Sequence, residues 1–157
     1  MNNYNIKVLL KVDVKTAKEI TDLLFQLEPT TSIISVERLK TIISSTTTFI
    51  FIATNTSEEI VGMITLVIFP NLEGYKAWIE DLVVDEKYRG QGVAKALINK
   101  ALEKAKSLDA KTVSLTSQPS RIIANLLYKK LGFIIRETNY YIFYFNKTKS
   151  RRSRTAG

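Results

Sequence analysis

The chain has 157 residues, 45% hydrophobic and 24% charged, which suits a single soluble globular domain with a sizeable core. Cysteine and histidine are both absent, which excludes disulfides, thiolate nucleophiles, a zinc site built from Cys and His, and the usual general base near neutral pH. The net charge of +8 is uneven: residues 147–157 carry five Lys or Arg and no acid, and the remainder holds 18 basic against 15 acidic residues, or +3.

That balance places any nucleic-acid contact in the basic tail alone, and the tail, with no apolar residue able to dock it, is expected to be disordered. No apolar run approaches the ~20 residues of a membrane helix, and the N-terminus lacks a signal-peptide pattern, so a cytoplasmic protein with no membrane partner is expected. Residues 4–146 read as one domain.

Residues 5–12 read as the first strand. Thr16-Ala17-Lys18-Glu19 has capping-box spacing, and Ala17, Ile20, Leu23, Leu24 and Leu27 follow at a helical period until Pro29 breaks it. A shorter helix is predicted over 36–43. Two strands come next, 48–54 and 60–69, joined by the polar link Asn55-Thr56-Ser57-Glu58-Glu59. A turn over 71–75 leads to a strand at 77–84. The next helix is predicted over 91–108, with Val93, Leu97, Ala101 and Ala105 on its inward face.

Residues 111–116 alternate as a strand, and Pro119 suits the start of a helix running through Leu131. The expected inward face of that helix is Ile122, Leu126 and Leu127, with Ile123 flanking. Gly132 ends it, and residues 133–135 and 140–145 read as two closing strands. The order is that of an α/β (α+β) domain, a mixed and largely antiparallel sheet flanked by helices.

The most informative stretch is residues 79–97. The apolar run Leu82-Val83-Val84 stops at Asp85, and Arg89-Gly90-Gln91-Gly92 then opens into the helix at 91–108. A glycine turn at a helix N-terminus is an anion site, because the first-turn N–H groups have no intrahelical partner and the helix dipole favours negative charge. No P-loop pattern is present, and Lys95 stands where a Rossmann fingerprint needs its third glycine. A bare structural turn remains the competing reading of the glycines alone.

Two segments narrow the choice. Arg89-x-x-Gly92-x-Ala94 after Leu-Val-Val, and Asn125-Leu-Leu-Tyr128-Lys-Lys-Leu-Gly132-Phe133 about 35 residues later, together resemble the GNAT superfamily of acyl-CoA-dependent N-acetyltransferases. Residues 79–84 also resemble the equivalent strand of glucosamine-6-phosphate N-acetyltransferases, a hint about subtype rather than substrate. The resemblance implies an acyl-CoA N-acetyltransferase fold and acetyl-CoA as cosubstrate. It also implies an acyltransferase moving acetyl to a primary amine of a small molecule or peptide.

The resemblance further implies that Leu82, Val83 and Val84 offer backbone groups to the pantetheine arm. The amides of Arg89, Gly90, Gln91, Gly92, Val93 and Ala94 would hold the pyrophosphate, with charge added by the Arg89 side chain. Tyr128 would protonate the departing thiolate, against the plainer reading of a packed ring, and Asn125 would touch the cofactor or cap local backbone. Glu80 is the first candidate for general base and Asp81 the second. As neighbours on a regular strand they are expected on opposite faces.

With no Cys or His nucleophile, direct transfer in a ternary complex is expected, and no metal site. A non-catalytic acyl-CoA sensor of the same fold is the alternative. Acceptor loops are expected near 28–35, 71–74 and 136–139. Tyr140 and Tyr141 lie in a late strand that in the resembling family often borders the acceptor site, against the plainer reading of core, and Trp78 reads as pocket wall or packing. Oligomeric state is open, a homodimer included.

Overall fold

The computed structural model describes residues 3–145, so the expectations for the basic tail fall outside the described residues. The elements are β1 (Tyr4–Val8), α1 (Val14–Leu27), α2 (Val36–Ile43), β2 (Thr48–Asn55), β3 (Ile60–Asn71), β4 (Gly74–Val84), α3 (Val93–Ser107), β5 (Ala110–Ser114) and α4 (Ile122–Lys130). The strands form one sheet in chain order, antiparallel from β1 to β4 and parallel between β4 and β5, with α3 as the crossover. Among the described residues, no helix is long and apolar enough to cross a membrane.

Each face of the sheet carries its own core. On one face, Phe51, Ala53, Ile64, Leu66, Ile68, Ala77 and Ile79 pack against Val93, Leu97, Ile98, Ala101 and Ala105 of α3, the predicted α3 face with Ile98 added. On the other, Ile50, Ile52, Met63 and Val83 pack against Ala17, Ile20 and Leu23 of α1 and Leu39 of α2. Continuous apolar runs in β2 and β3 follow from this burial on both sides. Gly62 makes the α3 contact possible. A Cβ there would lie 3.2 Å from Val83 O and Val93 Cγ1 and 3.3 Å from Leu97 Cδ1.

Local chemistry sets the helix ends. The α1 cap is Asp13 rather than the Thr16 box: its carboxylate accepts from Thr16 N and the Thr16 hydroxyl, both at 2.8 Å. Ser35 caps α2 by accepting from Arg38 N at 3.1 Å, and the helix spans the predicted residues. Strand β4 begins three residues before the predicted start, because Asn71 and Gly74 pair and shorten the turn to Leu72-Glu73.

The C-terminal expectations are not met. Residues 133–135 and 140–145 form no strand, and Tyr140 and Tyr141 are exposed rather than core. The α4 helix also presents a different face from the one its period suggested. Leu127, Tyr128 and Leu131 pack against the α3-side core, with Phe133 beyond them, while Ile122, Ile123 and Leu126 face outward. Arg121 Nη2, donating to Leu27 O at 3.2 Å, ties the start of α4 to the end of α1. That anchor, with Phe133 folding back onto Tyr128, orients the helix by its ends rather than by its most apolar stripe.

Candidate active site

Strand β4 pairs with β5 only through Tyr75, Ala77 and Trp78, because β5 ends at Ser114. Residues 79–84 therefore run on with their β5-side edge open. Asp85 N donates to Val61 O at 2.9 Å, which makes Val61 and Asp85 a hydrogen-bonded pair. Antiparallel alternation then turns the backbone groups of Val83 toward β3 and those of Leu82 and Val84 toward the open side. Arg89 Nε donating to Val84 O at 3.1 Å occupies one of these outward groups. Of these three residues, Leu82 and Val84 thus turn main-chain groups toward the open side, while the main-chain groups of Val83 face β3 and its side chain is buried.

A bulge interrupts β4 just before this edge. Met63 pairs with Val83 but Thr65 pairs with Glu80, so Asp81 and Leu82 together oppose Ile64, and Asp81 takes a left-handed φ of 54°. The bulge overturns the expectation of opposite faces for the two carboxylates. Glu80 lies opposite Thr65, and Asp81 is hydrogen-bonded by the Thr65 side chain, so both acids share Thr65's face of the sheet. Their environments differ. Burial raises the Asp81 carboxyl above the ordinary carboxylate range, the Thr65 bond pulling the other way, whereas Glu80 is exposed and accepts from Trp78 Nε1 at 2.6 Å.

Beyond Val84 the chain makes a short 3-10 turn, Glu86–Tyr88, capped by Asp85 accepting from Lys87 N at 2.9 Å. Gln26 of α1 clamps this turn from outside, its Nε2 donating to Asp85 Oδ2 and its Oε1 accepting from Glu86 N, both at 3.1 Å. Gly90 and Gly92 follow with φ of 75° and 85°, conformations that favour glycine. Gly92 is the N-cap of α3 and offers no side-chain cap, and no acid stands in the first turn. The opening of the helix thus presents unclaimed N–H groups beside the exposed turn 89–92.

Other predicted residues gather nearby. Gln91 is exposed and its Nε2 donates to Lys87 O at 3.0 Å; Val93 is buried and Ala94 half-buried. Arg89 pairs with Glu86 at 3.5 Å as well as with Val84 O, so its guanidinium braces the turn. Tyr128 is half-buried, edge-on to Phe133 at 5.9 Å, and burial raises its hydroxyl pKa while Arg121 lowers it, the first effect prevailing. Asn125 Nδ2 donates to Gln118 O at 2.8 Å, a bond that holds the loop before α4.

Sequence reasoning missed Gln26, Thr65 and Tyr4, whose hydroxyl stands 3.4 Å from where a Gly92 Cβ would be. No local signal marks the first two, since their roles arise only across the sheet. Gly62 did carry a signal, as an isolated glycine inside an apolar strand.

The residues suit acetyl-CoA: an open strand edge runs into an uncapped helix N-terminus with two left-handed glycines. The Acetyltransferase (GNAT) family model matches residues 18–133, which span β3, the bulge, the glycine turn and Tyr128. The chain belongs to the GNAT acetyltransferase family. It is 33% identical over 86 residues to an N-alpha-acetyltransferase of Arabidopsis thaliana, a stretch covering 55% of this chain and 45% of that protein. The chain thus spans under half the length of that curated relative.

GNAT neighbours among solved structures share the fold. An aminoglycoside acetyltransferase from an uncultured soil metagenomic sample superposes with a TM-score of 0.81 at 21% identity, covering 93% of this chain and 98% of that one. Glucosamine-6-phosphate N-acetyltransferase of Arabidopsis thaliana gives 0.76 at 23% identity, over 91% and 99%.

Proposed function

We propose that this GNAT protein transfers the acetyl group of acetyl-CoA directly to a primary amine within a ternary complex. The observation that carries the reading is the open β4 edge over residues 79–84 leading into the uncapped N-terminus of α3. Leu82 and Val84 would bind the pantetheine arm by strand addition, and the amides of residues 89–94 the pyrophosphate. Arg89 contributes positive charge at the rim while bracing the turn.

The chemistry then divides among three side chains. The amine nitrogen attacks the thioester carbonyl carbon, its proton passes to a carboxylate, the C–S bond breaks and the thiolate is protonated. Asp81 replaces Glu80 as first candidate for the base, because burial raises its proton affinity toward the useful range, directly or through one water. Glu80, fixed by the Trp78 indole on the same face, would orient the amine. Tyr128, kept protonated by its raised pKa, supplies the proton to a thiolate of ordinary pKa about 8.5. The outward N–H of Leu82 would stabilise the oxyanion.

The acceptor is an amine of a small molecule or a peptide. One similar protein is named an aminoglycoside acetyltransferase and another an N-alpha-acetyltransferase. Calorimetry with acetyl-CoA tests the reading first, and absence of binding at millimolar ligand would overturn it. A turnover screen reading free CoA across polyamines, amino acids, amino sugars, aminoglycosides and peptide N-termini then identifies the acceptor.

A further inference from the structure

The β1 edge of the sheet carries a cavity that the acyl-transfer reading leaves unused. Strand β1 pairs with β2 from Tyr4↔Asn55 to Val8↔Phe51. One further bond, Leu9 N donating to Ile50 O at 2.8 Å, ends the ladder before the chain turns into α1. β2 begins at Thr48, so its first residues run on with no strand beside them on that edge. The notch left there is an open cavity of about 520 Å³, within the roughly 300–1,000 Å³ of small-molecule sites.

Its floor is apolar, with Phe49 half-buried and Phe51 buried. Leu10, lining it where β1 ends, is 75% exposed. The C-terminal half of α3 supplies the polar wall through Lys100, Glu103 and Lys104. Glu103, the one acid in the lining among the described residues, pairs with Lys100 at 3.2 Å. Lys104 Nζ stands 4.6 Å from the centroid of the Phe49 ring and has no acid partner among the described residues. Two lysines against one acid leave the lining with one net positive charge beside an apolar floor.

We infer that this cavity binds a small monocarboxylate with an apolar body, the body over Phe49 and the carboxylate on the Lys104 ammonium. Burying the body removes apolar surface from water, and the free cation selects the charge. A neutral ligand would leave Lys104 unpaired, an amine would meet like charge, and a polyanion would find one free cation only. The ligand also shields Lys104 from water, which strengthens the ion pair. From Val93 to Lys104 the helix rises about 17 Å at 1.5 Å per residue, so the cavity is separate from the glycine turn. The site stands independently of the acetyl-transfer reading.

Calorimetry of the full chain with octanoate is expected to show saturable one-to-one binding at submillimolar ligand. Octanol, with the same chain length and no charge, should bind at least about tenfold more weakly. Octanoate should weaken by a similar factor in Lys104→Gln and in Leu10→Glu, which sets a carboxylate at an exposed position on the rim. Far-UV circular dichroism should be unchanged in both variants. Millimolar acetyl-CoA should leave octanoate binding in place. Absence of octanoate binding at millimolar ligand, octanol binding as tightly, wild-type affinity in either variant, or displacement by acetyl-CoA overturns the inference.

Discussion

Gly92→Ala tests the glycine turn most directly, because its cost can be read from the backbone. Gly92 has φ of 85° and ψ near 0°, a left-handed conformation that costs an L-residue about 1–2 kcal/mol. The new Cβ meets only the Tyr4 hydroxyl, at an ordinary 3.4 Å, so no steric clash adds to the strain. Alanine also narrows the unfolded ensemble, which returns about 0.4–1 kcal/mol. The net loss expected is about 1 kcal/mol, a fall in melting temperature of about 2–4 °C for a chain of this size.

Gly90→Ala is the matched control, with φ of 75° and no atom within 4 Å of its Cβ, and should lose a similar amount. Binding separates turn geometry from general stability. Relief of strain at the N-cap tilts the first-turn N–H groups, so calorimetry should show acetyl-CoA binding at least about tenfold weaker in Gly92→Ala, or about 1.4 kcal/mol. A variant that melts like the wild type and binds acetyl-CoA equally well would refute both the strain argument and the anion site.

Tyr128→Phe keeps the ring against Phe133 and removes only the hydroxyl, so with Tyr128 as the proposed proton donor kcat should fall by about 10² with acetyl-CoA affinity nearly unchanged. Asp81→Asn should nearly abolish turnover yet raise the melting temperature at neutral pH. The native carboxyl has a raised pKa, so the folded state binds the extra proton, and stability falls as pH rises from the unfolded pKa through the folded one. The wild-type and Asn melting temperatures should therefore converge below about pH 3, where both states are protonated. For the same reason kcat/KM should rise with pH across a transition displaced upward from an ordinary aspartate, and a flat profile would remove Asp81 as the base. Gly62→Ala, tight against Val83 O and two α3 side chains, should cost about 1–3 kcal/mol in chemical denaturation without changing the acceptor profile.

The chain order of strands and helices was legible because most of it rests on local signals. Apolar period placed α1, α2 and α3, with β2, β3 and β4 between them, and the glycine turn announced itself by residue type at a strand–helix junction. The α4 face was misread because a nine-residue helix with apolar residues all round has no dominant stripe, and its end contacts set its rotation instead. The closing strands were misread because an apolar, aromatic run signals a strand that needs a partner without saying where the partner is.

For this protein, the sequence alone determined the family resemblance, the glycine turn at a strand–helix junction and the absence of histidine and cysteine chemistry, since each depends on residue identity at short range. The tertiary structure decided which groups share a face and which stand at the open edge. Only pairing with β3 reveals the bulge at Asp81, and that one extra residue brings Glu80 and Asp81 to a shared face. The same pairing turns Val83 inward and leaves Leu82 and Val84 at the open edge, because strand alternation counts from the partner's register and not from the residues themselves.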